Sequence, residues 1–392
     1  MEFKIPFSSR AHAYTREEEE VVLEAMRNSD PLTQGKNLKL FERKFCHYSG
    51  ARHAYGVCNA TAALEMASQI CCFNEGDEVV IPSHTFTSSA YPFAKNGARI
   101  VWADIDPESK VVTADTLSDR ITSKTKAIVV VHLYGYGADM PKIMKLAKRH
   151  RLIVIEDAAQ ALGVNIEKKM AGTYGDFGIF SFHSHKNIST LGEGGLITVK
   201  DEAIAALLPS LRHNGHCPFP YKREDYWIPA MGNIDFPELN GQQLWPNNYC
   251  IGEVACALGS KLLDRIDEIN SLKRQRALEF IDSMQGFKEI EFHRVESERH
   301  NYHLLVAKLN NGKRDDFIRK MAREKLIQCI VQYYPLNRYP FYQKAGAGLT
   351  DCPQADLFFD NMISFPFHHS LVKEDFNYML KATKEVLEDL RN

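Results

Sequence analysis

Two textures of hydrophobic pattern alternate along the first two thirds of the chain. Short apolar runs rich in Val and Ile stand at 78–83 (EVVIPS), 99–106 (RIVWADID), 127–134 (AIVVVHLY), 152–159 (LIVIEDAA) and 179–184 (IFSFHS). Continuous runs of this length predict strands buried on both faces. Between them, 61–70 (TAALEMASQI) and 140–150 (MPKIMKLAKRH) carry apolar residues at helical spacing. The alternation predicts an α/β fold, a mostly parallel central sheet flanked by helices. Ligands of such sheets sit beyond the carboxyl ends of the strands, which directs attention to polar residues there.

The texture changes after Gly215. Residues 217–248 hold several prolines and aromatics and little periodicity, and a loop of that length in a compact domain is usually functional or mobile. A long helix is predicted over 252–272, then a mixture of helices and short strands, 302–309 and 327–333 among them. This divides the chain into a large α/β domain, 1–265, with an irregular insert at 217–248, and a smaller α+β domain, 266–392.

Composition narrows the function classes. Lys plus Arg is 48 against 50 Asp plus Glu, so no basic excess points to nucleic acid. No apolar run is long enough for a membrane span, and the opening lacks a secretion signal's apolar core. The nine cysteines are odd in number, scattered and without CxxC. That pattern argues against disulfide or zinc frameworks and for reduced thiols in a cytoplasmic protein. His183 and His185 stand two apart without a third ligand nearby, so no metal site is expected.

Three segments carry chemistry. Glu156-Asp157 closes an apolar run, which puts an acid at a strand end; a helix N-cap is the plainer alternative. Lys186 follows the strand ending at Ser181 and precedes a Gly-rich turn. It is an imine-forming lysine if neighbours and burial lower its pKa, and otherwise a solvated surface lysine. Asn59-Ala60-Thr61 opens a helix whose free N–H groups would bind an anion, or is an ordinary capped helix. Together they offer a phosphate site, a carboxylate for a ring nitrogen and an amine for an aldehyde. Those are the needs of pyridoxal 5'-phosphate.

The chain resembles the DegT/DnrJ/EryC1/StrS sugar aminotransferases, which have the aspartate aminotransferase fold. The similarity runs through PSHTFTSSA, VHLYGYGADM, EDAAQALG, SFHSHKNISTLGEGG, NNYCIGEVACALGSKL and the tail ISFPFHHSL. The resemblance implies that Lys186 bonds the cofactor covalently and shuttles protons, and that Asp157 pairs with the ring nitrogen. Gln160 would bind the ring hydroxyl oxygen, Phe86 would stack on the ring, and Ala60, Thr61 and Ser181 would hold the phosphate. Asn248 would reach it from the partner subunit of a homodimer with shared sites. His183 and Glu193 lie close in sequence without an assigned role.

The implied activity is transfer of an amino group, with pyridoxamine 5'-phosphate as the aminated cofactor. The donor would be L-glutamate and the acceptor a nucleotide-linked 4-keto-6-deoxyhexose, for glycan or surface polysaccharide synthesis. The chain departs from the family pattern where Cys250 replaces the arginine of NYR and where Asn337 stands in place of a histidine. Arg212 and Arg338 are possible sources of the missing charge. These departures raise a second reading, a small phosphorylated ketone or non-nucleotide keto sugar as acceptor. A catalytically silent pyridoxal-phosphate-binding protein is a third, against which Lys186, Asp157 and Gln160 speak.

Overall fold

The computed structural model describes residues 2–7, 12–219, 232–236, 238–310, 312–347 and 350–391. Its centre is a seven-stranded sheet. In chain order the strands are β1 (His53–Val57), β2 (Glu78–Pro82), β3 (Arg99–Ala103), β4 (Thr125–Val131), β5 (Ile153–Asp157), β6 (Phe177–Ser181) and β7 (Gly195–Val199). Their spatial order is β1-β7-β6-β5-β4-β2-β3. The five strands from β6 to β3 are parallel, whereas β7 runs antiparallel to both its neighbours. The apolar runs became strands because helices cover both faces. Every residue of β2, β6 and β7 is buried, and each fully buried Val or Ile contributes roughly 1.5–3 kcal/mol. Helix α1 is Ala60–Ile70 and helix α2 is Met140–His150, close to the predicted limits.

A second sheet of three antiparallel strands, β8 (Ile290–Phe292), β9 (Leu305–Leu309) and β10 (Met362–Phe365), lies against the helices Arg314–Arg323 and Lys373–Asp389 around a core of its own. The N-terminal segment is part of this core. Ile5 is buried, its N–H donates to Leu326 O at 3.1 Å, and its carbonyl accepts from Gln328 N at 3.0 Å. Phe7 N donates to Gln328 Oε1 at 3.0 Å.

Three expectations change. The helix expected over 252–272 is two helices, Glu253–Leu262 and Ile266–Ser283. The chain turns at Arg265, whose guanidinium reaches Glu18 Oε2 at 2.9 Å and Ala13 O at 3.2 Å. The strand expected at 327–333 makes only single bridges, Ile327 to Ile5 and Ile330 to Ser364. Its far end is drawn off instead, with Gln332 O accepting from Tyr134 Oη at 2.6 Å. In the insert, His216–Cys217 pairs with Asn233–Ile234 and Glu238–Leu239 with Gln242–Gln243; residues 220–231 and 237 lie outside the described residues.

Candidate active site

The site is built on the C-terminal ends of β5 and β6. Along a strand, successive side chains face opposite sides, so the adjacent acids of β5 have separate fates. Glu156 points beneath the sheet, wholly buried. Its carboxylate accepts from Gly172 N at 2.9 Å and Gly175 N at 2.6 Å and lies 3.0 Å from His132 Nε2. Asp157 points the other way, where its carboxylate accepts from Ser89 Oγ at 2.7 Å and Ala159 N at 3.1 Å. Two donors hold the carboxylate and leave lone pairs for a third.

Lys186 leaves β6 in a tight turn, its N–H donating to His183 O at 2.8 Å. Loss of hydration lowers its pKa to about 8, and the Asp157 charge opposes that shift. Ser181 ends β6, and its Oγ accepts from His183 N at 3.3 Å.

Asn59 caps α1 by accepting from Ala62 N at 2.9 Å. The N–H groups of Ala60 and Thr61 therefore lie in the first turn without an intrahelical acceptor. Thr61 Oγ1 donates to Ser88 Oγ at 2.9 Å. The start of β7 is pressed against this turn. A Cβ at Gly195 would stand 2.3 Å from the Asn59 carbonyl carbon and 2.6 Å from Ala60 N. Gln160 is oriented from both ends of its amide, with Oε1 accepting from Tyr134 N at 2.7 Å and Nε2 donating to Tyr333 Oη at 3.1 Å. Phe86 is an apolar ring left 53% exposed.

Ala60, Thr61, Phe86, Asp157, Gln160, Ser181 and Lys186 all line one cavity of about 360 Å³. Asn248 does not line it; it sits exposed, bridged to His213. His183 and Glu193 also line the cavity. Sequence reasoning missed Ser88, Tyr333, His303 and His368, which complete the wall, and Ser89, which orients Asp157. Ser88 and Ser89 lay in a quoted motif, but nothing in their spacing says which acid they serve.

The departures from the family pattern lie elsewhere. Arg212 is buried and committed to Glu42 (2.7 Å), Gly56 O (2.6 Å) and Gln34 (3.1 Å). Arg338 pairs with Asp356 and Asp360. Among the described residues no arginine lines the cavity.

These residues fit pyridoxal phosphate. An amine of lowered basicity shares the cavity with a carboxylate held by two hydrogen bonds, unpaired N–H groups open a helix beneath a glycine cradle, and an aromatic face is left bare. The model of the DegT/DnrJ/EryC1/StrS aminotransferase family matches residues 13–384. The GDP-perosamine synthase of Caulobacter vibrioides is 32% identical over 94% of this chain and 95% of its own. The L-glutamine:2-deoxy-scyllo-inosose aminotransferase of Streptomyces kanamyceticus is 32% identical over 78% of this chain and 71% of its own. A Streptococcus pneumoniae protein solved in its PLP form superposes with a TM-score of 0.83 at 26% identity, covering 98% of this chain and 99% of that one.

Proposed function

The chain belongs to the DegT/DnrJ/EryC1/StrS aminotransferase family, and from that premise we propose that this pyridoxal-phosphate-dependent sugar aminotransferase takes its amino group from L-glutamate and passes it to a nucleotide-linked 4-keto-6-deoxyhexose, for glycan or surface polysaccharide synthesis. The observation that carries the reading is the pairing of Lys186 and Asp157 across one cavity at the strand ends.

Pyridoxal phosphate, when bound, supplies an aldehyde for the amine and a ring that withdraws electrons. Lys186 Nζ would bond the cofactor and would then move a proton at the reacting carbons. Asp157 would meet the ring nitrogen and keep it protonated, its carboxylate fixed by Ser89 and Ala159. The N–H groups of Ala60 and Thr61 and the hydroxyl of Ser181 would hold the phosphate, Phe86 would cover the ring and Gln160 would meet its hydroxyl oxygen. Asn248, exposed and off its own chain's cavity, would serve the other site of a homodimer.

The GDP-sugar in the name of the Caulobacter relative supports a nucleotide-linked acceptor. The lack of an arginine among the described residues of the cavity wall supports the second reading, a non-nucleotide keto sugar or small phosphorylated ketone. So does the name of the Streptomyces relative, which carries no nucleotide. The test is an absorbance titration of the purified holoenzyme with L-glutamate, then mass spectrometry of products from a panel of keto acceptors. Competition by free GDP or UDP favours the first reading, and indifference to both favours the second. Lys186→Ala is expected to cut turnover by about 10²-fold or more and to abolish borohydride labelling at position 186. Normal turnover by that variant would overturn the assignment. A holoenzyme deaf to every amino donor would leave only a binding protein.

A further inference from the structure

Behind Lys186 a chain of amides fixes the protonation pattern of one ring in the cavity wall. Its origin is the main-chain oxygen of Leu162, which can only accept. Asn270 Nδ2 donates to it at 2.9 Å, so Asn270 Oδ1 is turned toward Asn187. Asn187 Nδ2 donates there at 2.8 Å, which leaves Asn187 Oδ1 as a pure acceptor on the other side. That oxygen receives Lys273 Nζ at 3.1 Å and meets His303 Nδ1 at 3.3 Å. The His303 Nδ1 must therefore carry the proton. Lys273 ties the arrangement down with further bonds to His303 O at 2.9 Å and Phe367 O at 3.5 Å.

His303 is 4% exposed and lines the cavity beside Lys186. Burial, with Lys186 and Lys273 on either side, holds its pKa well below the usual imidazole value. The ring is neutral, and Nε2 is a bare lone pair with no partner among the described residues.

We infer that His303 is a specificity-determining residue of the acceptor site: its Nε2 accepts a hydrogen bond from a hydroxyl of the keto-sugar acceptor, and Asn187, its amide turned by Asn270, is the positioning residue that holds the tautomer. This rests on the aminotransferase reading above. The choice of a hydroxyl follows by elimination. A carboxylate or phosphate oxygen would face a lone pair with a lone pair. An ammonium group would bring a charge into surroundings where burial already depresses the basicity of Lys186 and Lys273. A neutral O–H matches the lone pair without adding charge.

Two measurements test this. In holoenzyme labelled with 15N-histidine, two-bond 15N–1H correlations are expected to show His303 as the Nδ1–H tautomer from pH 6 to 8. In Asn187→Leu, which removes the acceptor facing Nδ1, they are expected to show the tautomers mixed. An Nε2–H or doubly protonated ring in the wild type overturns the inference, and this reading does not depend on any acceptor being found. The second measurement compares kcat/KM for the acceptor and for analogues each lacking one ring hydroxyl. The wild type is expected to reject one analogue by about tenfold or more. His303→Asn, which keeps a donor toward Asn187 but loses Nε2, is expected to lose that discrimination. Equal loss on all acceptors with the discrimination intact overturns it. Failure of every keto sugar would instead count against the proposed function, leaving the tautomer spectrum to decide on His303.

Discussion

Lys186 is a base whose strength is set by two opposing influences. Burial removes water from its ammonium and pulls the pKa to about 8, while the Asp157 carboxylate resists that loss. Only the neutral amine attacks an aldehyde. Because the pKa lies below the ordinary lysine value of about 10.4, the reactive fraction of the apoprotein is already appreciable at pH 7.5. It should grow through pH 8 and level off above. Stopped-flow absorbance of cofactor uptake against pH is expected to trace that rise. In Asp157→Asn the supporting charge is gone, so the midpoint should move to lower pH; an upward shift would contradict the arrangement. Glu156, one residue away, has no part in this, because its oxygens are occupied by Gly172 and Gly175 under the sheet.

Among the elements, the legible ones were those whose residues alone determine their state. β2, β4 and β5 are buried on both faces, so their apolar runs needed no partner to be recognised, and α1 announced itself by the Asn59 cap. β1 (HAYGV) stayed hidden because two of its five residues are partly exposed and a glycine interrupts its apolar character. The stretch 327–333 reads as a strand because it is rich in β-branched residues, yet its backbone groups are claimed singly by Ile5, Ser364 and Tyr134. The helix after 252 was read through a turn that carries no glycine or proline. At that turn Arg265 is paired with Glu18, more than two hundred residues away in sequence. The site followed the same rule: strand-end residues were found from sequence, whereas Ser89, Tyr333 and His303 are brought in by tertiary packing. The meeting of β7 and α1 gives the sharpest test. Gly195→Ala places a methyl against backbone atoms that cannot swing away, so the helix start must shift. Cofactor affinity, read by fluorescence titration, is expected to fall by about tenfold or more while the far-ultraviolet circular dichroism stays native.

For the molecule as a whole, the fold carries an acid weakness. His84, His300 and His303 are buried, and His84 is held down to about 3 while the other two lie well below the usual value. An unfolded chain takes up these protons near pH 6.5, whereas the folded one does not. Their contribution to stability is therefore complete above about pH 6.5 and is lost progressively as the pH falls below it. Thermal unfolding of the holoenzyme should show a lower midpoint at pH 5 than at pH 7.5, and replacing His84 with Asn should flatten the dependence. An unchanged midpoint would mean that the rings are not held neutral. No described helix is long and apolar enough to cross a membrane, and all nine cysteines are free thiols.

The first few residues, finally, tie the two cores to each other. Ile5 fills the smaller core and is laced to Leu326 and Gln328, while Phe7, two positions on, forms part of the wall around Lys186. Removing residues 1–7 would loosen the smaller core and open the reaction chamber in one stroke.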